Sequence, residues 1–340
     1  MSKKRISITD IAKELNVSIT TVSFILNNKA KGKISEEVIK KVQNYVKEVG
    51  YKPNQLAQGL RTGKSNIIVF MVEDISDAFF SSISRLMEEK AYENGYKLLF
   101  CSTENDAQKT RDLVQLFKDR QVDGYIITPP SDFEEDIKQL LQEGQPVVLF
   151  DRYFESIDVS HVIIDNMEST FKSIKHMVEG GYRNIGFVTL DSSQSQMVDR
   201  LNGYQKAIDL YDLKSNVLEI NFKDLKNKKT GDQVEAFLNK TQDLDALFFA
   251  TNYLAKSGLR VLKKLQVAIP SQMGVMSFDD SEVFELYSPT ISALSQPIES
   301  IADKLMEIML KQLNMPDGKE KIIYAELPGS LVVRESSYKP

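Results

Sequence analysis

Apolar positions follow two different patterns along the chain, and the change falls near residue 65. In the first fifty residues they recur at helical spacing in three short segments. Ser7 and Asp10 have the spacing of a capping box that opens the first helix. Ser18 can cap a second helix that runs to about Asn27, and a third helix opens at Ser35. Two short helices joined by a tight turn and braced by a third predict a helix-turn-helix scaffold.

The second predicted helix has an unusual outer face. Its inner face is apolar, whereas Ile19 and Phe24 lie on the outer side with no core to join. Apolar side chains can contact thymine methyl groups in the major groove, and the hydroxyls of Thr20 and Ser23 can bond to base edges or phosphates. This pattern favours a DNA-reading helix over a helical bundle of another purpose. Inward packing of Phe24 onto the head core is an equal alternative.

Charge is also distributed unevenly along the chain. Residues 1–64 hold thirteen Lys and Arg against five Asp and Glu, a net charge of +8, although the whole chain has a net charge of −5. The rest of the chain therefore has a net charge of −13. A basic head on an acidic body is typical of polyanion binding by the head, with a solvated basic face as the alternative.

From Ser65 onward, short apolar runs alternate with amphipathic helices. Ten runs predict buried strands: 67–72, 96–102, 124–128, 147–151, 161–164, 185–190, 217–220, 246–250, 274–278 and 291–294. Strand-helix alternation predicts parallel sheets covered on both faces. Ten strands suggest two similar α/β lobes, with a late helix over 297–313 that returns to the first lobe.

An ordered run of residues in the head carries a specific family signature. It reads Ile8-Thr9-Asp10-Ile11-Ala12, Asn16-Val17-Ser18, Thr20-Thr21-Val22-Ser23, Leu26-Asn27 and Gly50-Tyr51-Lys52-Pro53-Asn54. This run resembles the N-terminal signature of the LacI/GalR family of bacterial transcription regulators. The segment from Leu56 to Gly63 is similar to the hinge helix of that family, whose leucine wedges between base steps in the minor groove. By position, that leucine is Leu60.

The resemblance implies a domain plan and a set of DNA contacts. The expected domains are a helix-turn-helix head at 1–52, a hinge at 53–64 and a body at 65–340 of the periplasmic-binding-protein type I class. Lobe 1 is expected at about 65–164 and 294–322, and lobe 2 at about 165–293 and 323–340. The implied DNA-binding residues are Thr9, Ser18, Ile19, Thr20, Thr21, Ser23, Phe24, Asn27, Tyr51, Asn54, Ala57, Leu60 and Arg61.

Polar and aromatic residues follow several predicted strands, where ligands of open α/β sheets bind. Acids and amides can bind pairs of hydroxyls, and aromatic rings can stack on the C–H face of a sugar ring. The resemblance favours Arg200 and Asp279, because they match positions at which the family holds effector, and a structural salt bridge between them is the alternative. Asn252 departs from the family, in which an acid is common there. The predicted effector-binding residues are Phe79, Phe80, Asp151, Arg152, Gln194, Gln196, Arg200, Phe248, Thr251, Asn252 and Asp279.

Signals for catalysis are missing from the sequence. His161 and His176 have no nucleophile or metal-ligand partner at a recognisable spacing, and neither common phosphate-binding glycine motif occurs. We therefore expect no enzyme activity, metal or cofactor. One cysteine and no readable signal peptide or membrane segment suggest a cytoplasmic protein.

Together with the resemblance, these features predict a homodimeric transcription regulator that binds a pseudo-palindromic operator. We expect a repressor of carbohydrate-utilisation genes controlled by a small carbohydrate effector held between the lobes. The alternatives are a sugar-binding protein without a DNA function and a regulator that responds to a purine-type corepressor.

The charge distribution predicts that DNA affinity depends steeply on salt. If the head neutralises several phosphates, affinity should fall on the order of 10³-fold between about 50 and 200 mM salt. Fluorescence anisotropy with labelled operator DNA measures this slope. A salt-independent affinity, or undiminished binding by a fragment that starts at residue 65, would contradict the assignment.

Overall fold

The chain forms two compact units, Met1–Ser65 and Asn66–Pro340. A computed structural model describes residues 6–27, 29–51, 64–226, 229–315 and 321–339. The predicted hinge residues Asn54, Ala57, Leu60 and Arg61 lie outside these ranges. Within the described ranges, no helix is both long enough and apolar enough to cross a membrane.

The head consists of three helices, α1 (Ile8–Glu14), α2 (Ile19–Leu26) and α3 (Glu36–Glu48). Ser7 and Asp10 form the predicted capping box, in which the Asp10 amide donates to Ser7 Oγ and the Ser7 amide donates to Asp10 Oδ2. The turn between α1 and α2 places Asn16 in the left-handed region, with a φ of 52°. Ser18 Oγ then accepts from the Thr21 amide at 3.0 Å and starts α2, as predicted.

One apolar cluster holds the three helices of the head together. Ile11 of α1, Val22 and Ile25 of α2 and Val42 of α3 are buried in it. The inner face predicted for the second helix is therefore confirmed at Val22 and Ile25, and its opposite face is left for other contacts.

The body contains twelve described strands in two six-stranded sheets. They are β1 (Ile67–Val72), β2 (Lys97–Ser102), β3 (Gly124–Ile127), β4 (Val147–Phe150), β5 (His161–Ile164), β6 (Ile185–Leu190), β7 (Asn216–Ile220), β8 (Ala246–Phe249), β9 (Gly274–Phe278), β10 (Ser292–Ser295), β11 (Tyr324–Leu327) and β12 (Ser330–Val332). The first sheet has the order β11-β5-β4-β3-β1-β2, and the second has the order β12-β10-β9-β8-β6-β7. The two lobes thus repeat one topology, and the predicted pair of α/β lobes is confirmed.

Helices cover both faces of these sheets. They are α4 (Ala78–Glu93), α5 (Ala107–Asp119), α6 (Glu134–Gln142), α7 (Asn166–Glu179), α8 (Ser195–Leu210), α9 (Phe222–Lys226), α10 (Thr230–Lys240), α11 (Asn252–Lys264), α12 (Glu282–Leu286) and α13 (Ile298–Asn314), with a short 3₁₀ helix at Glu335–Ser337. Along β1, Phe70 packs in one apolar cluster and its neighbours Val69 and Met71 in another. Apolar layers therefore lie on both faces, which explains why the strands have continuous apolar sequences.

The predicted return of the late helix to the first lobe is confirmed. In α13, Gln312 Nε2 donates to the Val147 carbonyl of β4 at 3.3 Å, and Asp303 forms an ion pair with Lys90 of α4. The Met309 side chain of the same helix packs over Gly124 at the start of β3.

The predicted lobe boundaries are wrong near the end of the chain. Strand β11 pairs in parallel with β5 of the first sheet, although 323–340 was assigned to lobe 2. Strand β10 lies wholly in the second sheet, so the segment that returns to lobe 1 begins after Ser295 rather than at 294. Neither β11 nor the antiparallel β12 was predicted as a strand. The residues of β11 alternate between exposed and half-buried, and such an edge strand lacks the apolar run that marks a buried one.

The contact between α7 and α8 generates a stability prediction. A Cβ atom added at Gly203 of α8 would lie 2.3 Å from the Met167 carbonyl oxygen, so Gly203→Ala should lower the free energy of unfolding by about 1–3 kcal/mol. Gly231→Ala is the matched control, because its Cβ would lie 3.6 Å from Val261, an ordinary contact. Urea unfolding measures both variants. Equal stabilities would show that the helices separate at little cost.

Candidate ligand cleft and nucleic-acid interface

A cavity of about 1240 Å³ lies in the body, at the carboxyl ends of strands from both sheets. Glu73 follows β1 and Asp151 follows β4 in the first lobe, while Thr251 lies just beyond β8 and Asp279 follows β9 in the second. Parallel strands point their carboxyl ends to one edge of the sheet, so the same topology used twice places two sets of polar residues around one cleft.

Nine of the eleven predicted effector-binding residues line this cavity. They are Phe79, Phe80, Asp151, Arg152, Gln196, Arg200, Thr251, Asn252 and Asp279. The other two do not. Phe248 is fully buried inside β8 and stacks on Phe187 with ring centroids 5.7 Å apart, so it is a core residue and its assignment to the cleft is wrong. Gln194 instead reaches across to the first lobe, where its Nε2 donates to Asn105 Oδ1 at 3.2 Å.

Arg152 is the centre of a buried polar network in the first lobe. Its guanidinium donates from Nε to Asp151 Oδ2 at 3.2 Å, from Nη1 to Asn105 Oδ1 at 2.8 Å and from Nη2 to Glu73 Oε2 at 2.8 Å. Its side chain is only 4% exposed. A buried cation with carboxylates on two sides is fixed in place, because moving it would leave charges unpaired.

Arg200 has the corresponding position in the second lobe. Its Nε donates to Asn166 Oδ1 at 2.9 Å and its Nη1 to the Ala250 carbonyl at 2.7 Å. The guanidinium carbon lies 3.6 Å from the centroid of the Phe278 ring. Nη1 is also 3.8 Å from Asp279 Oδ2, so the predicted pair of residues is close in space as a loose ion pair. This distance supports the salt-bridge alternative as well as a shared role in ligand binding.

Asp151 and Asp279 are equivalent residues of the two lobes. Each directly follows its strand with a left-handed backbone, φ being 69° at Asp151 and 66° at Asp279. Such values are uncommon for residues other than glycine and concentrate at functional sites. Burial raises the pKa of Asp279 to about 6, although Arg200 and a hydrogen bond from Gln296 act to lower it.

Hydrogen bonds join the two lobes across the cleft. In addition to Gln194 and Asn105, Asn252 Nδ2 donates to Asp77 Oδ1 at 3.4 Å. The Tyr153 amide donates to Ser195 Oγ at 3.1 Å. A few polar contacts therefore help to set the separation of the lobes.

Sequence reasoning missed Glu73, Asn105 and Gln296. Glu73 and Gln296 each directly follow a strand, β1 and β10, so the same strand-end argument finds both of them. Asn105 lies three residues beyond β2, in a turn where its φ is 54°. Nothing in the sequence marks this turn, which brings Asn105 back to Glu73 although it lies beyond the strand end.

In the head, α2 presents the predicted polar and apolar outer face. Ile19 is 49% exposed and Thr20 is exposed beside it, while Thr9 lies exposed on α1. Phe24 is half-buried but is not among the residues of the head core, and the Lys33 ammonium lies 5.5 Å from the centroid of its ring. Of the two alternatives for Phe24, this placement supports the outward one.

The remaining predicted DNA-binding residues of the head lie in three settings. Ser18 and Thr21 share a hydrogen bond between their hydroxyls at 2.8 Å, and Ser23 accepts at its carbonyl from Asn27 Nδ2 at 2.6 Å. Tyr51 packs partly buried against the head core. The hydroxyls of Ser18 and Thr21 remain at the amino end of α2, where backbone amides also favour phosphate.

Two family models match the chain. Residues 7–54 match the model of bacterial regulatory proteins of the lacI family, and residues 174–337 match that of the periplasmic binding protein-like domain. The first match covers the three head helices. The second begins in α7 and covers most of lobe 2, including Arg200 and Asp279.

Known relatives and solved structures match over nearly the full length. The sucrose operon repressor of Streptococcus mutans is 28% identical over 333 residues, which cover 97% of this chain and 98% of that protein. The transcriptional repressor PurR of Aliivibrio salmonicida is 26% identical over 335 residues, covering 98% and 99%. The lac repressor dimer bound to operator and the anti-inducer ONPF has a TM-score of 0.84 at 20% identity, covering 98% and 99%.

The buried carboxyl group of Asp279 predicts a pH-dependent stability. Because its folded pKa of about 6 is raised above the value of an ordinary aspartate, its stabilising contribution is complete at low pH and is lost as pH rises through 6. Relative to Asp279→Asn, the wild-type free energy of unfolding should fall by about 1–2 kcal/mol between about pH 5 and 7.5. Urea unfolding at both pH values measures this difference. Parallel pH profiles would show that Asp279 is ionised throughout.

Proposed function

Because the chain belongs to the LacI family of bacterial regulatory proteins, we propose that it is an operator-binding repressor controlled by a small polar effector. It is a DNA-binding transcription regulator, and the prediction that it is not an enzyme is confirmed, since the family consists of regulators. The observation that carries the proposal is the presence, in one chain, of a family-matched head and a cleft with Arg200 beside Asp279.

The outer face of α2 is the proposed base-reading surface. Ile19 and Thr20 are exposed at its amino end, where a helix in the major groove meets base edges. Phe24, with Lys33 over its ring, offers an apolar contact rather than the bidentate hydrogen bonds that an arginine gives to guanine. The operator is therefore expected to present thymine methyl groups at this step.

The cleft is suited to a hydroxyl-rich effector. Carboxylates such as Asp279 and Asp151 accept from hydroxyls, Arg200 can donate to them, and Phe79 supplies an apolar ring face. A carbohydrate is therefore the proposed effector, held between the two lobes. A purine-type corepressor is the alternative, and the similarity to PurR supports it.

A second copy of the chain is the proposed partner in solution. Leu99 and Phe100 are exposed on β2, which is at the edge of the first sheet, and Leu286 of α12 is 79% exposed. Exposed apolar side chains on a sheet edge favour association with another chain. Two heads in a symmetric dimer would read the two halves of a pseudo-palindromic operator, and such a role places the protein in the cytoplasm.

Lobe movement is the proposed link between effector and DNA. A ligand that touches Asp151 in one lobe and Asp279 in the other favours the lobe arrangement in which it meets both. The hydrogen bonds between Gln194 and Asn105 and between Asn252 and Asp77 are weak enough to exchange during this movement. The effector contributes only its difference in affinity for the two arrangements, typically about 1–3 kcal/mol.

Substitutions on α2 test the DNA-binding role. DNA selected by the full chain from a random library should contain a pseudo-palindrome, and Thr20→Ala should weaken binding to it by about 1–3 kcal/mol. Gln43→Ala on the exposed side of α3 is the control and should leave affinity unchanged. Fluorescence anisotropy against scrambled DNA measures both. Binding that does not distinguish selected from scrambled DNA would refute sequence-specific recognition.

A paired substitution tests the effector site. Arg200→Ala should weaken effector binding by about 1.5–3 kcal/mol, since it removes hydrogen bonds from a charged group. Arg183→Ala is the control, because Arg183 donates to two backbone carbonyls of lobe 2 and does not line the cavity. Titration calorimetry compares the two folded variants. Equal affinities would place the effector elsewhere.

A further inference from the structure

Negative charge predominates around the cleft. Eight of the described lining residues are Asp or Glu, whereas five are Lys or Arg. Among the described lining residues, Arg152 and Arg200 are buried cations and Lys256 is half-buried, while the acids Glu73, Asp77, Asp151 and Asp279 are also buried or half-buried. An occupant with its own negative charge would therefore meet repulsion on both lobes, and the two buried guanidinium groups decide whether that repulsion is offset.

Arg152 is already committed to groups of the protein. Each of its three nitrogen atoms donates to a side chain of the first lobe, at distances of 2.8–3.2 Å, and two of the acceptors are carboxylates. Arginine frequently holds a phosphate or carboxylate ligand with two parallel N–H donors of its guanidinium. Arg152 has five N–H groups and uses three of them here, but an anion that reached the other two would lie beside Asp151 and Glu73, which already balance the charge of this arginine.

Arg200 is only partly available. Its Nε and Nη1 donate to Asn166 and Ala250, and no donation from Nη2 to a described residue is found. One free nitrogen is suited to a hydroxyl oxygen. An anion placed there would lie beside Asp279, whose carboxylate is already 3.8 Å from the same guanidinium.

The other cationic groups of the cavity lie along one helix, α11. Lys264 forms an ion pair with Glu235 at 2.7 Å, and Lys256 Nζ is 3.5 Å from Asn252 Oδ1. Arg260 is exposed. Solvent and salt screen the exposed charges of Arg260 and Lys264, so these two offset little of the repulsion inside the cleft, whereas the half-buried Lys256 is held by Asn252.

We propose that the cleft selects against anions, and that its effector is a polyol without phosphate or carboxylate groups. An amino group on the polyol strengthens binding, because it lies among carboxylates that outnumber the cations. This inference rests on the proposed function, since it assumes that the cleft is the effector site. It separates neutral sugars and amino sugars from sugar acids and sugar phosphates.

Sugars that have the same ring but differ in charge test this preference. The full chain is titrated with glucose, galactose, mannose and ribose, with glucosamine and galactosamine, and with glucuronate, galacturonate, glucose 6-phosphate and inorganic phosphate. Thermal shift finds the ring that binds, and calorimetry at constant ionic strength ranks its derivatives. We expect the acid to bind about tenfold or more weakly than its neutral counterpart and the amine more tightly, with no shift from phosphate.

A pair of variants tests the cause of this preference. Glu73→Gln removes one of the carboxylates that hold Arg152, so this variant should gain a thermal shift with inorganic phosphate. Glu89→Gln, an equal change of charge on the exposed face of α4, should not. Circular dichroism checks folding. If Glu73→Gln does not fold, the wild-type ranking decides alone.

The outcomes separate this inference from the proposed function. Stabilisation of the wild-type chain by phosphate or an acid, lost in Arg152→Gln, would overturn the inference and leave an anion-responsive regulator. No stabilisation by any neutral or amine-bearing probe would overturn the assignment of a polyol, and with it the effector part of the proposed function. Operator binding is measured without effector and stands or falls independently.

Discussion

The burial of two arginines beside carboxylates is the constraint on which the cleft depends. Arg152 is 4% exposed and Arg200 is 3% exposed, and a buried guanidinium is tolerated only where hydrogen bonds and opposite charge replace water. Asp151 and Asp279 provide that charge at the carboxyl ends of β4 and β9. The positions of these side chains, and hence the chemistry of the cleft, follow from this requirement.

Because the two lobes have the same topology, both contribute equivalent residues to one cleft. Both sheets use the same strand order, so the residue after the third strand from one edge is an aspartate with a left-handed backbone in each lobe. The buried arginines of the two lobes differ in the hydrogen bonds that they make. Every nitrogen of Arg152 donates to a side chain of lobe 1, whereas Nη2 of Arg200 donates to no described residue. A ligand can therefore receive a hydrogen bond from lobe 2 and find acceptors in both lobes.

Much of the fold could be predicted from sequence because its signals are local. The caps at Ser7 and Ser18 need only neighbouring residues, and buried parallel strands such as β6 have continuous apolar sequences. Strand β11 was missed because its stability comes from pairing with β5, far away in the chain. Asn105 was missed for a similar reason, since its role depends on a turn that brings it to Glu73 and Arg152. Phe248 was misplaced because a strand residue near the cleft faces the core.

The central claim is that one chain couples occupancy of the cleft to DNA binding by the head. Its most direct test is reciprocal linkage. The affinity for operator is measured with and without a ligand of the cleft, and the affinity for that ligand is measured with and without operator. The account predicts that both affinities change by the same factor, on the order of 5- to 150-fold. Two unchanged affinities, with ligand and DNA bound together, would contradict it.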